Sequence, residues 1–152
     1  MTQPDFLNTQ RIVLCRPSHP GNIGAVARAM KTMGLVDAAQ LVLVNPLCTI
    51  DEVAVRRASG AADLLSGCHI VKTLPEALMG CVGVFGMTVR PRELGPLPVS
   101  PRAAVSDAYA IWQEVGNEPS AGCSAFVFGN ETNGLSNEEL QFCRAEVSIA
   151  TN

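Results

Sequence analysis

Residues 16–34 show the clearest pattern of a functional site, because a loop that contains Gly, Pro and Asn leads there into a predicted apolar helix. Apolar side chains recur on one predicted helical face, namely Ile23, Val26, Ala27, Met30 and Met33. Arg28 lies off that face. We expect Gly21, Asn22 and Gly24 to begin the helix, with Asn22 as its cap and free N–H groups turned towards an anion. A fixed cation favours chemistry at a phosphate or a developing oxyanion, and a solvated arginine on an ordinary helix is the alternative.

A second Gly- and Asn-rich turn follows an apolar strand at residues 123–128. This turn contains Gly129 and Glu131 and leads into a predicted helix that Ser136 would cap. Glu139 follows Ser136 by three residues, which is the spacing of a capping box. The segment is therefore predicted to be a strand, loop and helix at the edge of a sheet, where α/β proteins bind ligands.

Predicted strands and helices alternate along the chain, and they must position these two segments. Predicted strands cover residues 11–15, 40–44, 69–71, 81–87, 123–128 and 146–149. Predicted helices cover residues 22–34, 51–59, 61–66, 74–79, 101–115 and 136–143. Short apolar strands separated by helices predict an α/β fold, a Rossmann-like parallel sheet with helices on both faces. The turn after the first strand lacks the G-x-G-x-x-G and P-loop patterns, which argues against a dinucleotide or ATP site.

Taken in this order, the two segments resemble motifs of the SPOUT (SpoU-TrmD) superfamily of RNA methyltransferases, and specifically its SpoU branch. The matching motifs cover residues 22–28, 128–131 and 134–137, and the resemblance extends over roughly residues 11–152. Further stretches at 28–35 and 43–46 are similar to members that act on tRNA. The resemblance thus implies methylation of the ribose 2′-hydroxyl of a cytidine or uridine in the tRNA anticodon loop.

The same resemblance implies a cofactor, S-adenosylmethionine, held in a C-terminal trefoil knot. Three loops would form its walls, with the residues Gly86, Met87, Thr88, Phe128, Gly129, Asn130, Gly134, Leu135 and Ile149. In the family a further helix closes the knot. That helix is absent from the 152-residue sequence, so we expect residues 1–152 to be a single methyltransferase domain that lacks its C-terminal end and any C-terminal extension. The family also implies a homodimer in which two subunits build each active site.

The resemblance assigns the catalytic roles to Arg28, Asn22 and Glu131. Arg28 would either stabilise charge on the ribose oxygen or bind the adjacent phosphate, and it is a doubtful base because a guanidinium group does not readily give up its proton. Asn22 would contact ribose or phosphate, cap the helix, or do both. Glu131 would orient Arg28 through an ion pair or brace the cofactor loop.

The overall charge shows that any contact with RNA must be local. A formal net charge of −3 and an isoelectric point near 5.3 exclude a protein that binds nucleic acid over its whole surface. Arg16 flanks the first motif, and Arg90 and Arg92 follow a predicted strand end in a proline-rich loop. We expect these three arginines to contact the substrate RNA.

Composition indicates the class of protein and its surroundings. Hydrophobic residues make up 47% of the chain, which excludes general disorder, yet no stretch is long enough to span a membrane. The first residues lack the features of a signal peptide, so we expect a cytoplasmic location. The cysteines are dispersed without a C-x-x-C pair, which favours reduced thiols and predicts no metal site, and hydrogen bonding to a ligand is the alternative.

Three functions remain open from the sequence. The first is a tRNA ribose 2′-O-methyltransferase that depends on S-adenosylmethionine. The second is an rRNA ribose 2′-O-methyltransferase, because loops and extensions outside the domain core select the RNA. The third is a non-catalytic RNA-binding module with the same fold, against which the joint presence of Arg28, Asn22 and Glu131 argues.

Overall fold

The computed structural model of the chain describes residues 5–89, 97–115 and 123–149. The predicted strands form one parallel sheet with the order β3-β2-β1-β5-β4-β6. The strands are β1 (Gln10–Cys15), β2 (Leu41–Val44), β3 (His69–Val71), β4 (Cys81–Met87), β5 (Cys123–Phe128) and β6 (Ala145–Val147). The helices are α1 (Pro20–Thr32), α2 (Glu52–Ala58), α3 (Ala62–Gly67), α4 (Leu74–Ala77), α5 (Pro101–Val115) and α6 (Asn137–Leu140).

Helices cover both faces of the sheet, as the sequence predicts. On one face α1, α2 and α3 pack against β1 and β2 around Ile23, Met30 and Leu64, and α5 packs beside them against Phe85. On the other face α4 packs against the strand side chains that alternate with these and point to the opposite side of the sheet, such as Val13. Because both faces are covered, the central strands carry continuous apolar runs, such as Ile12–Cys15 in β1 and all of β2.

The first helix begins two residues earlier than predicted, at Pro20. A proline suits the first helical position, since its missing N–H has no partner there in any case. Asn22 is consequently the third residue of the helix, and His19 occupies the N-cap position. The expectation that Asn22 caps α1 is therefore wrong.

Gly24 allows a close contact between helices and does not make a turn. A Cβ atom at this position would lie 2.1 Å from the carbonyl oxygen of Ala54 in α2. Any larger residue would therefore separate α1 from α2. The glycine fixes the position of α1, and so of Arg28, on the sheet.

All six strands are parallel, so the loops after β1, β4, β5 and β6 reach the same edge of the sheet. The chain leaves β1 towards one side through β2 and β3 and returns on the other side through β4. Such a reversal beside the first strand creates a crevice at the carboxyl edge. The trefoil knot stays a prediction, since residues 150–152 lie outside the described residues.

Candidate active site

A cavity of about 830 Å³ opens at the carboxyl edge of the sheet. Three segments line it: Met87, Thr88 and Val89 at the end of β4, residues 128–135 at the end of β5, and Ile149 after β6. These are the three loops that the family resemblance implies as the walls of the cofactor site. The lining combines apolar side chains, such as Leu135, with backbone and polar groups, as is usual for sites that bind small molecules.

Eight of the nine residues predicted to bind the cofactor line this cavity: Met87, Thr88, Phe128, Gly129, Asn130, Gly134, Leu135 and Ile149. Gly86 is the ninth residue, and it lies behind the residues that line the cavity. A Cβ atom at Gly86 would be 2.7 Å from the Sγ of Cys143 and 3.1 Å from the Cδ1 of Leu135. Gly86 therefore lets the β5–α6 loop and the segment after α6 pack closely on β4.

The loop after β5 closes on itself through Gly129 and Gly134. A Cβ atom at Gly129 would lie only 2.2 Å from the carbonyl carbon of Gly134, and Gly134 has a φ of 69°. The N–H of Gly134 donates to the carbonyl of Asn130 at 2.8 Å. Both glycines are thus required by the loop itself, whatever ligand it holds.

Asn130 is a bracing residue of this loop. Its Oδ1 accepts hydrogen bonds from the N–H groups of Thr132 and Asn133 at 2.9 and 3.1 Å. Its Nδ2 donates to the carbonyl of Arg16 at 2.8 Å. Since these bonds occupy the side chain, Asn130 offers the cavity mainly its backbone and its apolar atoms.

Arg16 and Glu139 join the first sequence motif to the second. The guanidinium donates to Oε1 of Glu139 at 2.7 Å and to the carbonyl of Gly134 at 3.2 Å. The same carboxylate accepts the N–H of Ser136 at 2.7 Å, and the Ser136 hydroxyl accepts the N–H of Glu139, so the predicted capping box is confirmed. Arg16 is thus engaged within the protein, and its predicted contact with RNA stays a prediction.

Glu131 bonds to the loop before α1. Its carboxylate accepts the N–H of Ser18 at 2.9 Å and a hydrogen bond from the Ser18 hydroxyl. It also lies 2.8 Å from Nδ1 of His19. These contacts are consistent with the bracing role, and no ion pair joins Glu131 to Arg28 among the described residues of the chain; both roles that the sequence left open stay predictions.

Ser18 and His19 are the site residues that the sequence analysis missed. Both lie in the segment between β1 and α1, only a few residues before Asn22. The anion expected near the start of α1 is supplied here by the protein's own Glu131. Ser18 and Glu131 are 113 positions apart, so no local sequence pattern predicts their contact.

Hydrogen bonds favour the ionised form of both carboxylates, Glu131 and Glu139. Burial of Glu139 opposes its charge, but the hydrogen bonds from Arg16 and Ser136 outweigh burial and lower the pKa of Glu139. Burial likewise opposes the charge of Glu131, but bonds from Ser18 and His19 lower the pKa of Glu131. Both groups are therefore charged at neutral pH and hold the loops through charge-assisted bonds.

Arg28 and Asn22 lie on the exposed face of α1. Ala25 and Ala29 are also exposed on this helix. Met33, which the sequence pattern predicts on the buried face, follows the end of α1 and is 63% exposed. The Arg28 guanidinium makes no hydrogen bond or ion pair in the described part of the chain. By contrast, Lys31 on the same helix is bound to Asp63 at 2.8 Å.

The remaining sequence expectations concern RNA, metal and membrane. Arg90 and Arg92 lie outside the described residues, so their predicted contact with RNA stays a prediction. Within residues 5–89, 97–115 and 123–149, no group of three or more His, Cys, Asp or Glu side chains is placed to hold a metal ion. Over the same residues, no helix has the length and apolar character needed to cross a membrane.

Comparison with known proteins extends these observations. The sequence profile of the SpoU rRNA Methylase family matches residues 9–152. The chain is 49% identical over 148 residues to the tRNA (cytidine/uridine-2′-O-)-methyltransferase TrmJ of Escherichia coli O6:K15:H31, which covers 97% of this chain and 56% of that protein. The chain therefore spans about half the length of the curated relatives that it matches.

Solved structures share the fold. A probable methyltransferase from Bordetella pertussis Tohama I superposes with a TM-score of 0.85 at 37% identity, over 97% of this chain and 84% of that one. TrmJ from Z. mobilis ZM4 superposes with a TM-score of 0.77 at 30% identity, over 94% of this chain and 59% of that one. The two motifs meet at one edge of the sheet, and the family profile matches most of the chain. Together with the similar relatives, these findings show that the chain belongs to the SpoU rRNA methylase family.

Proposed function

We propose that this chain is the catalytic domain of an enzyme that transfers a methyl group from S-adenosylmethionine to the ribose 2′-hydroxyl of a tRNA anticodon-loop nucleotide. The observation that carries the proposal is the cavity at the carboxyl edge, where the three predicted loops converge. Relatives that are 48–49% identical bear the name tRNA (cytidine/uridine-2′-O-)-methyltransferase, which supports both the reaction and the substrate class. A cytoplasmic location, as expected from the sequence, is part of the proposal.

The residues of the cavity suit S-adenosylmethionine. Met87, Leu135 and Ile149 offer apolar surface for a flat aromatic base, and the backbone of residues 129–134 offers polar groups. The volume of about 830 Å³ lies in the range of sites for ligands of this size. When bound, the cofactor supplies an electrophilic methyl group, so the protein must bring a ribose oxygen into line with it.

Arg28 is the cation that we assign to the reacting ribose. It lies eight residues after the start of α1, about 12 Å along the helix axis from the end near Glu131. Since the exposed face of α1 turns Arg28 away from the chain's own core, we infer that it serves the cavity of a second copy. The proposed assembly is therefore a homodimer in which α1 of each subunit contributes Asn22 and Arg28 to its partner.

Small side chains on α1 support such an assembly. Ala25 and Ala29 are exposed on the same face as Arg28, and they allow close approach of a second helix. The flexible Met33 extends this surface. Burial of this face would remove apolar atoms from water and would fix Arg28 at the interface.

Within this proposal Arg28 and Glu131 have different tasks. Arg28 orients the ribose and its phosphate and stabilises the charge that develops on the 2′-oxygen. Glu131 holds the segment 18–19 against the loop that lines the cavity, so it keeps the entrance in shape. Because Arg28 has no carboxylate partner in the described part of its own chain, its charge is available to RNA.

The test is to offer the full-length protein both tRNA and rRNA isolated from cells that lack the gene. With labelled S-adenosylmethionine, we expect label in tRNA, and mass mapping should locate it as a 2′-O-methyl group in the anticodon loop. Label confined to rRNA would favour an rRNA ribose 2′-O-methyltransferase, a function that agrees with the name of the matching family. Binding of tRNA without any methyl transfer would favour a non-catalytic module.

A further inference from the structure

Two cysteines that are distant in sequence meet at the amino edge of the sheet. Cys81 is the first residue of β4 and Cys123 is the first residue of β5, and the two are direct partners in the parallel register. Their Sγ atoms lie 3.0 Å apart. The sequence predicts dispersed cysteines, yet the fold brings these two into contact as free thiols.

The surroundings of the pair make one thiol more acidic than the other. The hydrogen bond from Cys81 and the charge of Arg11 lower the pKa of Cys123, although burial opposes them. The same bond, together with burial, raises the pKa of Cys81. The Arg11 guanidinium is held nearby by the carbonyls of Ala77 and Met79 at 2.6 and 2.9 Å. The lowered pKa therefore favours Cys123 as the attacking thiolate of the pair.

We propose that Cys81 and Cys123 form a reversible oxidation site that reacts with small disulfides of the glutathione class. The Cys123 thiolate attacks one sulfur of the small disulfide and releases the first small thiol. The Cys81 sulfur then attacks the Sγ of Cys123 and releases the second. In sum, two protein thiols are oxidised to one disulfide, the small disulfide is reduced to two thiols, and the two protons pass to those thiols.

The geometry of the strands permits this bond. Neighbouring strands lie about 4.8 Å apart, and disulfides join residues whose Cα atoms are about 4.4–6.8 Å apart. The pair begins β4 and β5, whose opposite ends carry the cavity, about 17–20 Å away along the strands. Oxidation would therefore tie the two strands together without placing any atom in the cavity.

Two other cysteines, Cys15 and Cys68, lie in different surroundings. Cys15 is buried in the core, where burial first and the nearby Glu139 second raise its pKa to about 12. The Cys68 thiol is half-buried and donates to the carbonyl of Leu65 at 3.3 Å. Cys68 therefore provides a matched control, with similar burial but without a thiol in contact.

The test treats the native protein with oxidised glutathione and counts the free thiols. We expect two of the six thiols to be lost together, a cross-linked peptide pair that contains Cys81 and Cys123, and full recovery with a reducing agent. The bond closes a loop between positions that are 42 residues apart, so the thermal unfolding midpoint should rise by about 5 °C or more. The Cys68→Ser variant should behave as wild type.

The Cys123→Ser variant should form no cross-link and show no rise in its midpoint. Retention of all six thiols in the wild type, or stable attachment of glutathione to one of the two cysteines, would overturn the proposal. A cross-link that leaves the midpoint unchanged or lower would also overturn it, because such a bond would have formed in unfolded chains. The readouts need neither cofactor nor RNA, so they do not depend on the proposed function.

Discussion

The Arg16 guanidinium donates hydrogen bonds to both carboxylate oxygens of Glu139, at 2.7 Å to Oε1 and 3.4 Å to Oε2. The two residues are 123 positions apart, and they join the loop after β1 to the start of α6. Because the same carboxylate completes the capping box of Ser136, one side chain fixes both the helix and the loop that lines the cavity.

We expect Glu139→Gln to lower the free energy of unfolding by about 1–3 kcal/mol, as measured by urea denaturation. The amide can still accept a hydrogen bond from Ser136, but the charge that faces Arg16 is lost. The control is Asp107→Asn, which removes the partner of Arg144 in a pair whose side chains are 51% and 38% exposed. That change should cost less than about 1 kcal/mol. Equal losses in both variants would contradict a special role for Glu139.

Acid should weaken the fold through Glu131 and Glu139. Both have a folded-state pKa below its ordinary value, so the unfolded chain binds more protons than the folded one as pH falls. Their stabilisation is full above the unfolded-state pKa of about 4.3, and it is lost as pH falls through the folded values. Urea midpoints should thus decline below about pH 4.5. In Glu139→Gln this decline should be less steep, and an unchanged slope would argue against the assignment.

Gly129→Ala should destabilise the protein by about 1–3 kcal/mol, because the added Cβ would overlap the backbone of Gly134. The loop must shift to relieve this overlap, so cofactor affinity measured by calorimetry should fall as well. Gly60→Ala is the control, since a Cβ there meets nothing within 4 Å. A Gly129→Ala protein with wild-type stability and affinity would show that the loop adjusts freely.

Replacement of Arg28 separates an enzyme from a binding module. Arg28→Ala should lower single-turnover methylation of tRNA by about a hundredfold or more, while cofactor affinity stays nearly constant. Arg28→Lys should recover little activity, because lysine keeps the charge but loses the planar fork of donors. Lys31→Ala is the matched control on the same helix, as Lys31 is bound to Asp63. Wild-type rates in Arg28→Ala would remove Arg28 from the mechanism.

A charge on the exposed face of α1 should break the proposed dimer. Ala29→Asp places a carboxylate where two copies of the helix are expected to meet, so sedimentation should show monomers at micromolar concentration. The folded subunit should keep its thermal midpoint in dilute solution, because Ala29 is exposed in the single chain. Ala39→Asp, at another exposed alanine, should remain dimeric. A monomeric wild type would contradict the assembly itself.

Much of the fold follows from local patterns in the sequence. The limits of β3, β4, β5 and α5 agree with the predicted ranges, and the Ser136 capping box is present as predicted. The limits of the other elements differ from the prediction by three residues at most. The start of α1 was misplaced because Asn22 is a common cap, whereas Pro20 already suits the first helical position.

The partners of the polar side chains were decided only by the tertiary structure. Glu139 was predicted as half of a capping box, and its second task, the pair with Arg16, depends on β1 and β5 being neighbours. Glu131 meets Ser18 and His19 for the same reason. Cys81 and Cys123 touch because β4 and β5 pair in one particular register.

The sequence by itself determined where strands and helices form, because periodicity, caps and turns act between residues within a few positions of one another. The family resemblance carried by its two motifs also predicted the three loops that line the cavity. Only the tertiary structure decided which side chains bond across those loops. Strand order and register are set by burial of the whole core, and a shift of one residue would turn each side chain to the other face.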